Sequence, residues 1–138
     1  MSLTADNVKK YLDSKDVRYE VLEEGERDVI AIGCQGEKAE KIRVIFFIDD
    51  DGQHVAIRSF GISKVPEEKL MPMYVALNEL NCEYRWMKFY VDGDNEIVAA
   101  DDAILSPETA GEECFELLLR SVDIIDKIYP SLMKIIWA

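Results

Sequence analysis

Residues 42–52 read Ile42-Arg43-Val44-Ile45-Phe46-Phe47-Ile48-Asp49-Asp50-Asp51-Gly52, and the rest of the predicted architecture builds on them. The stretch begins with a nearly continuous apolar run, which is typical of a strand buried on both faces of a sheet. Asp51-Gly52 then predicts a tight hairpin, because glycine adopts a positive φ at little cost. A return strand follows over residues 54–60. The sequence therefore predicts a central antiparallel pair of strands.

A helix and two further strands are predicted before this pair. Thr4 can cap a helix that ends near Asp16, because apolar residues recur between them at helical spacing. Residues 19–23 alternate as a short strand, and residues 24–26 turn the chain. Residues 28–34 form the next strand, which a polar loop joins to the central one.

The middle of the chain predicts a helix that contains a proline. Val65-Pro66-Glu67-Glu68-Lys69 is a start signal, because proline fits the first helical turn and acidic side chains favour its positive end. One apolar face follows, made of Leu70, Met73, Tyr74, Leu77 and Leu80. Pro72 either kinks this helix or marks its true start after a short turn, and we favour the kink. Asn81 is the expected left-handed C-terminal cap.

Two more strands are predicted after this helix. Residues 83–92 are rich in aromatic side chains, and a turn at residues 93–95 joins them to a return strand over residues 96–100. Asp101 and Asp102 are expected in a loop. The order is thus αββββαββα, or αβββαββα if the early strands are divided differently. Short hairpins and flanking helices imply a mainly antiparallel sheet with helices packed on it, which is an α+β fold.

The last helix opens at Ser106-Pro107-Glu108, a cap followed by a proline and an acid. Its apolar surface is wider than one sheet face requires, and wide apolar surfaces mark interfaces. We therefore predict an interface at Leu117, Ile124, Ile128, Leu132, Ile136 and Trp137. Pro130 should kink or end the helix. The alternative is that the tail after Pro130 folds back onto its own domain.

Length and charge narrow the function. The chain has 138 residues, which suits a single domain over residues 1–138. Its net charge of −12 argues against nucleic acid and against anionic membranes as partners. No apolar run has the length of a membrane helix, and the N-terminus lacks the pattern of a signal peptide. The 3 cysteines lack disulfide or metal-site spacing, so we expect reduced thiols in a cytoplasmic protein.

The sequence offers little material for catalysis. His54 is the only histidine, and it follows a tight turn, where an exposed polar residue is ordinary. Asp92-Gly93-Asp94-Asn95-Glu96 looks like part of a calcium loop, but the glycine and glutamate of the EF-hand pattern are not at the required positions. Phosphate-binding glycine motifs do not occur. We therefore assign no catalytic, metal-binding or cofactor-binding residue and predict that the protein is not an enzyme.

The helix start at residues 65–69 is followed by the close Leu77-Asn78-Glu79-Leu80-Asn81 and by the strand Lys88-Phe89-Tyr90-Val91-Asp92. With these motifs, residues 65–96 resemble the YbjN family of bacterial sensory transduction regulators. The order of elements is similar over nearly the whole chain, whereas Pro72 departs from the pattern. The resemblance implies a fold like that of the type III secretion chaperones, which are small acidic domains that often pair. It implies no catalytic residues.

Two functions of different classes fit these observations. The first is a non-enzymatic regulatory or chaperone-like module that binds a protein partner, which the sequence does not identify, and that forms a homodimer. The second is a small-molecule sensor with its pocket between the aromatic strand and the middle helix. Its first lining residues would be Asn78, Tyr84 and Trp86, because such pockets combine apolar walls with a few polar groups.

Overall fold

The computed structural model describes residues 2–138, without the side chains of residues 23 and 24. A short 3₁₀ turn at Glu67–Lys69 precedes the second helix. The helices and strands, in chain order, are α1 (Leu3–Ser14), β1 (Glu20–Glu24), β2 (Arg27–Cys34), β3 (Ile42–Ile48), β4 (His54–Ser59), α2 (Leu70–Glu83), β5 (Lys88–Val91), β6 (Ile97–Ile104) and α3 (Ala110–Ile136).

The strands found in residues 2–138 form one sheet of 6 strands in the order β1-β2-β3-β4-β6-β5. Every neighbouring pair is antiparallel. The α+β class and the order αββββαββα are therefore confirmed, and the version with fewer early strands is excluded. Short connections explain four of these pairs, because tight turns join strands that run in opposite directions. Strands β4 and β6 pair across the longer connection through α2 and β5.

Strand β3 has neighbours on both sides and is buried on both faces, as its apolar run predicts. It pairs with β2 from Ile42 to Ile48 and with β4 from Ile45 to Ile48. Its even-numbered residues belong to the main core with the helices. Its odd-numbered apolar residues join a smaller cluster made of strand residues: Val29, Ala31, Ile45 and Phe47, with Ala56 packed against it. We call this second side of the sheet the open face.

The hairpin between β3 and β4 also anchors α1. Gly52 has a φ of +69°, as the predicted tight turn requires, and its N–H donates to the Asp49 carbonyl over 2.9 Å. The Thr4 hydroxyl donates to the Gly52 carbonyl. Thr4 is therefore not the helix cap. Ser2 takes that position, and its hydroxyl accepts the Ala5 N–H over 3.1 Å.

The predicted aromatic strand over residues 83–92 is too long. Helix α2 continues to Glu83, and Trp86 adopts a φ of +63° in the turn that follows. Strand β5 therefore begins only at Lys88. Asn81 is inside α2 and is not its cap. Its side-chain amide instead accepts the Phe89 N–H over 2.7 Å and donates to the Phe89 carbonyl over 3.0 Å.

Strand β6 is longer than predicted, and the expectation of a loop at Asp101 and Asp102 is wrong. Strand β4 pairs with β6 as far as His54–Ile104, and this pairing outweighs the low strand propensity of aspartate. The Arg58 guanidinium binds the Asp102 carboxylate at 3.0 Å on the open face. Asp101 points to the other side, where burial raises the pKa of its carboxyl.

The prolines interrupt the helices less than expected. The favoured kinked helix is wrong, because a 3₁₀ turn comes first and Pro72 stands in the first turn of α2, where its missing N–H would have had no helical partner. Pro130 does not end α3, which runs on to Ile136. Apolar side chains on both sides of Pro130 are buried in the core and hold the helix there. The start of α3 is at Ala110, after Thr109.

A single carboxylate fastens the loop between β2 and β3 to α3. Asp126 accepts the N–H groups of Glu37, Lys38 and Ala39 at 3.2, 2.8 and 2.8 Å. Gly36 is required beside it, because a Cβ there would collide with the Asp126 carboxylate. The backbone hydrogen bonds hold the pKa of the Asp126 carboxyl below its usual range.

Asp126→Ala should release this loop. We expect faster amide hydrogen exchange at residues 37–39, because their N–H groups lose their acceptor. Asp123→Ala is the matched control, since it removes a carboxylate one turn earlier that only pairs with Lys127. The pKa of Asp126 is lowered in the folded state. Its contribution to the free energy of unfolding is therefore present above the ordinary aspartate pKa of about 3.9 and disappears as the pH falls through the lowered value. Equal exchange rates at residues 37–39 in the two variants would show that Asp126 does not hold this loop.

Ile128→Ala should destabilise the monomer itself. Ile128 is 2% exposed in the core, so truncation should lower the free energy of unfolding by about 2–5 kcal/mol through lost burial and a cavity. Urea denaturation measures this change. Leu119→Ala is the control on the same helix, because Leu119 is 50% exposed and its truncation should cost below about 0.5 kcal/mol. A loss for Ile128→Ala as small as that of the control would place Ile128 outside the core.

Candidate protein-binding surface

Helix α2 has apolar side chains on both its inner and its outer side. Met73 and Leu77 face inward and are buried. Met71, Tyr74 and Val75 face outward and are 70%, 47% and 58% exposed. Helical spacing places five residues on this outward stripe, which we call the α2 outer face: Met71, Tyr74, Val75, Asn78 and Cys82. Such exposed apolar stripes mark binding surfaces more often than isolated exposed side chains do.

Contacts at the end of α2 hold this helix firmly on the sheet. Asn81 forms its two hydrogen bonds to the backbone of Phe89, as described above. The Lys88 ammonium donates to the carbonyls of Asn81 and Tyr84, both at 2.7 Å, and so satisfies carbonyl groups at the C-terminal end of α2. The Tyr84 ring packs edge to face on Phe89, with ring centroids 6.4 Å apart. The α2 outer face therefore stands on a well-supported helix.

The end of α3 lies next to the beginning of this surface. The Lys69 ammonium donates to the backbone carbonyl of Ala138 over 2.7 Å. This bond brings the C-terminal end of α3 to the 3₁₀ turn that leads into α2. Trp137, which is 81% exposed, is thus at the same end of the molecule as Met71.

Most of the interface predicted on α3 is part of the chain's own core. Ile124, Ile128, Leu132 and Ile136 are buried. The wide stripe of α3 is used within the chain, because α3 packs against α1, β3 and α2 at once. Leu117 is half-buried against the core, and Trp137 is exposed. These two are the residues of the predicted interface that a partner could reach in the folded chain.

The three residues of the predicted sensor pocket have separate surroundings. Asn78 is on the α2 outer face, and Tyr84 packs on Phe89. Trp86 is 52% exposed, and the Arg120 guanidinium of α3 lies 4.8 Å from its ring centroid. The prediction placed both aromatic residues on one strand, whereas the structure places them in the turn before β5.

A different cleft, of about 560 Å³, opens between α3 and the loop that Asp126 fastens. Its apolar wall is made of Val17, Cys34, Phe115, Leu118, Leu119 and Val122. Polar groups from the loop and from Asp126 line the other side. The sequence did not point to this cleft, because the residues come from three segments that only the fold brings together.

His54, Asp51 and Asp92 are engaged in hydrogen bonds within their own hairpins. His54 Nδ1 is 2.5 Å from the Asp51 carboxylate, and Asp51 also accepts the backbone N–H groups of Gln53 and His54, so that the pKa of the Asp51 carboxyl is lowered. The Asp92 carboxylate accepts the N–H groups of Asp94 and Glu96, which makes a hairpin of the sequence that looked like a calcium loop. Within the described part of the chain, no three histidine, cysteine, aspartate or glutamate side chains are grouped as metal ligands.

The cysteines are separate, and burial affects two of them. Cys34, Cys82 and Cys114 are free thiols. Burial raises the pKa of the Cys34 thiol, and it raises the pKa of Cys114 to about 12. Both therefore stay protonated and weakly nucleophilic at neutral pH. Among residues 2–138, none of the helices combines the length and the apolar character needed to cross a membrane.

Two solved structures have a similar fold. The first is the crystal structure of YbjN, "a putative transcription regulator from E. coli", with 12% identity, a TM-score of 0.59 and 93% of each chain covered. The second is a chain of the crystal structure of the ExsC-ExsE complex, with 14% identity, a TM-score of 0.57 and coverage of 94% of this chain and 96% of that chain. The fold is thus like that of a type III secretion chaperone, as the sequence predicted.

The sequence comparisons agree with the structural ones. No curated protein matches the chain. The sequence profile of the YbjN family, described as "Putative bacterial sensory transduction regulator", matches residues 4–133. This match spans nearly the whole chain, and the resemblance first noted at residues 65–96 is confirmed. The chain belongs to the YbjN family.

Proposed function

We propose that this chain is a non-enzymatic, chaperone-like regulatory module that binds other proteins. The α2 outer face is the observation that carries the proposal, because apolar side chains remain exposed there on a firmly held helix. Removing apolar surface from water contributes about 25 cal/mol per Å², so covering these side chains favours a partner at this face. The family description and the similarity to a structure of a protein complex support the same function.

A second copy of the chain is the occupant that we propose for the α2 outer face. A two-fold axis would present the same stripe from both copies and so double the apolar area that is covered.

The state of the nucleophilic side chains supports a non-enzymatic role. His54 is exposed and hydrogen-bonded within its own hairpin. Two of the thiols are held in the protonated form by burial. Free thiols are usual in a reducing compartment, and a cytoplasmic location is part of this proposal.

Val75→Glu should break the homodimer. It places a charge at the centre of the α2 outer face in both copies, so the dissociation constant of the dimer should rise by at least about tenfold, which corresponds to about 1.4 kcal/mol. Analytical ultracentrifugation over a range of concentrations measures this shift. The fold should be retained, because Val75 is mostly exposed.

Ile104→Glu is the matched control for this experiment. Ile104 is 78% exposed at the end of β6, so the same type of change there should leave the dimer intact. A wild-type chain that stays monomeric at every concentration contradicts the homodimer. A dimer that Val75→Glu leaves as stable as the wild type would show that another surface forms it.

A small-molecule sensor remains the second candidate, and the cleft beside α3 favours it. Its volume of about 560 Å³ is within the range of about 300–1,000 Å³ that is usual for ligand pockets. Its wall is apolar and its rim polar, which suits a small apolar molecule with one or two polar groups. The site differs from the predicted pocket near Asn78, Tyr84 and Trp86.

The fluorescent probe 1-anilinonaphthalene-8-sulfonate tests this cleft. If the cleft accepts such molecules, the folded chain should enhance the fluorescence of the probe, and a saturating probe should raise the melting temperature, because a ligand of the native state stabilises it. Leu119→Trp should weaken both effects by filling the cleft. Val75→Glu is the control, since it changes a distant apolar surface. Equal probe binding by wild type and Leu119→Trp, with loss only in Val75→Glu, would place the probe on the α2 outer face instead.

A further inference from the structure

The open face of the sheet contains a trough along the end of β2. Its floor is made of two small residues, Ala31 and Gly33, which are two positions apart and therefore lie on the same side of the strand. Gly33 is paired with Arg43 of β3, and Ala31 with Glu20 of β1. The trough has a volume of about 260 Å³. Small residues on β2 between longer ones on its neighbours thus leave a shallow channel about one strand wide.

Three cations line this channel. Arg18 stands on the β1 side, and Lys41 and Arg43 stand on the β3 side. We call this set, with its floor at Ala31 and Gly33, the basic trough. All three cationic residues are exposed. Three cations against the one acid Glu20 leave positive charge in excess around this trough, although the net charge of the chain is −12.

Within the part of the chain that the structure describes, the cations of the basic trough have no carboxylate partner. Among the side chains that the structure describes, none of the three forms an ion pair with a carboxylate, and Glu20 is the one acid among the lining residues. Other basic residues do have such partners: Arg58 binds Asp102, and Lys127 binds Asp123. The basic trough therefore holds positive charge that is available to a ligand from outside.

An exposed aromatic side chain lies beyond the basic trough on the open face. Ile45 and Phe47 follow Arg43 on the same side of β3, and both are buried. The exposed ring of Phe60 packs edge to face on Phe47, with centroids 6.2 Å apart. A ligand that lies on this face would meet positive charge first and the Phe60 ring next.

We propose that the basic trough binds an acidic, extended segment of a partner protein, with one or two carboxylates among Arg18, Lys41 and Arg43 and an apolar side chain directed toward the exposed ring of Phe60. The floor is one strand wide, which fits an extended peptide, and three cations match one or two carboxylates. A nucleic acid fits less well, because its further phosphates would extend beyond the trough onto an acidic molecule. This inference rests on the proposed protein-binding function but uses a surface separate from the α2 outer face.

A fluorescein-labelled peptide with glutamate at its first and third positions, leucine at its fifth and serine elsewhere tests the proposal by fluorescence anisotropy, because residues two apart share one face of an extended peptide. At about eight residues it would span roughly 27 Å when extended, which is enough to cross the sheet. We expect binding at low ionic strength that weakens strongly near 1 M salt, where the Debye length is about 3 Å. The double variant Arg18→Glu/Arg43→Glu should raise the dissociation constant by at least about tenfold.

Two further variants separate the basic trough from net charge and from misfolding. Lys10→Glu/Lys134→Glu makes the same change in net charge at exposed helical positions and should bind the peptide nearly as well as wild type. Gly33→Leu fills the floor without a change of charge and should weaken binding by a similar factor. An added Cβ at Gly33 meets no atom within 4 Å, so this variant should fold.

Several results would overturn the proposal. They are equal weakening by the two charge-reversal pairs, unchanged binding by Gly33→Leu, and tighter binding of a labelled single-stranded oligonucleotide or of anionic lipid vesicles than of the peptide. Failure of the peptide to bind a chain whose dimer still responds to Val75→Glu would remove the basic trough and leave the proposed function standing. If the peptide binds through the basic trough but the chain is monomeric at every concentration, the proposed homodimer is removed and the basic trough stands.

Discussion

The burial of β3 on both faces is the constraint on which the rest of the structure depends. A strand with apolar residues on both sides needs cover on both sides. On one side, the helices provide that cover in the main core. On the other side, Val29 and Ala31 of β2 form the smaller cluster with Ile45 and Phe47, and the Phe60 ring packs on Phe47. Arg27 adds to this cover, with its guanidinium 4.7 Å from the Phe47 ring centroid. The sheet is thus an organised surface on both faces.

The use of α3 within the chain explains why the candidate interface is on α2. Helix α3 contacts α1, β3 and α2, so most of its wide apolar stripe is buried within the chain. Helix α2 lies at the flank, beside β5 and the end of α3, and only its inner side is covered. An apolar stripe therefore remains on α2, although α3 has the stronger amphipathic pattern in the sequence. In the folded chain, the apolar stripe that remains exposed is therefore on α2 and not on α3.

The alternation of side chains along the strands also groups positive charges on the open face, although the net charge of the chain is −12. Residues two apart point to the same side of a strand, so Arg43 shares the open face with Ile45 and Phe47. The neighbouring β1 and β2 bring Arg18 to the same area. A net charge is a sum over the whole surface, and it carries no information about such local groups. The acidic sum excludes a broad basic footprint, yet it is compatible with one basic trough.

Patterns between near neighbours in the chain determined much of this protein from the sequence: the element order, the buried character of β3, the turn at Asp51-Gly52 and the family. Their physical basis is local, because hydrophobic period and turn chemistry involve residues a few positions apart. Four features depended on the tertiary structure. They are the length of β6, the continuation of α3 beyond Pro130, the hydrogen bonds from residues 37–39 to Asp126, and the exposure of the α2 outer face. Each results from contacts between residues far apart in sequence, such as Asp126 with Ala39 or His54 with Ile104, and those contacts decide which apolar faces are covered and which remain available to a partner.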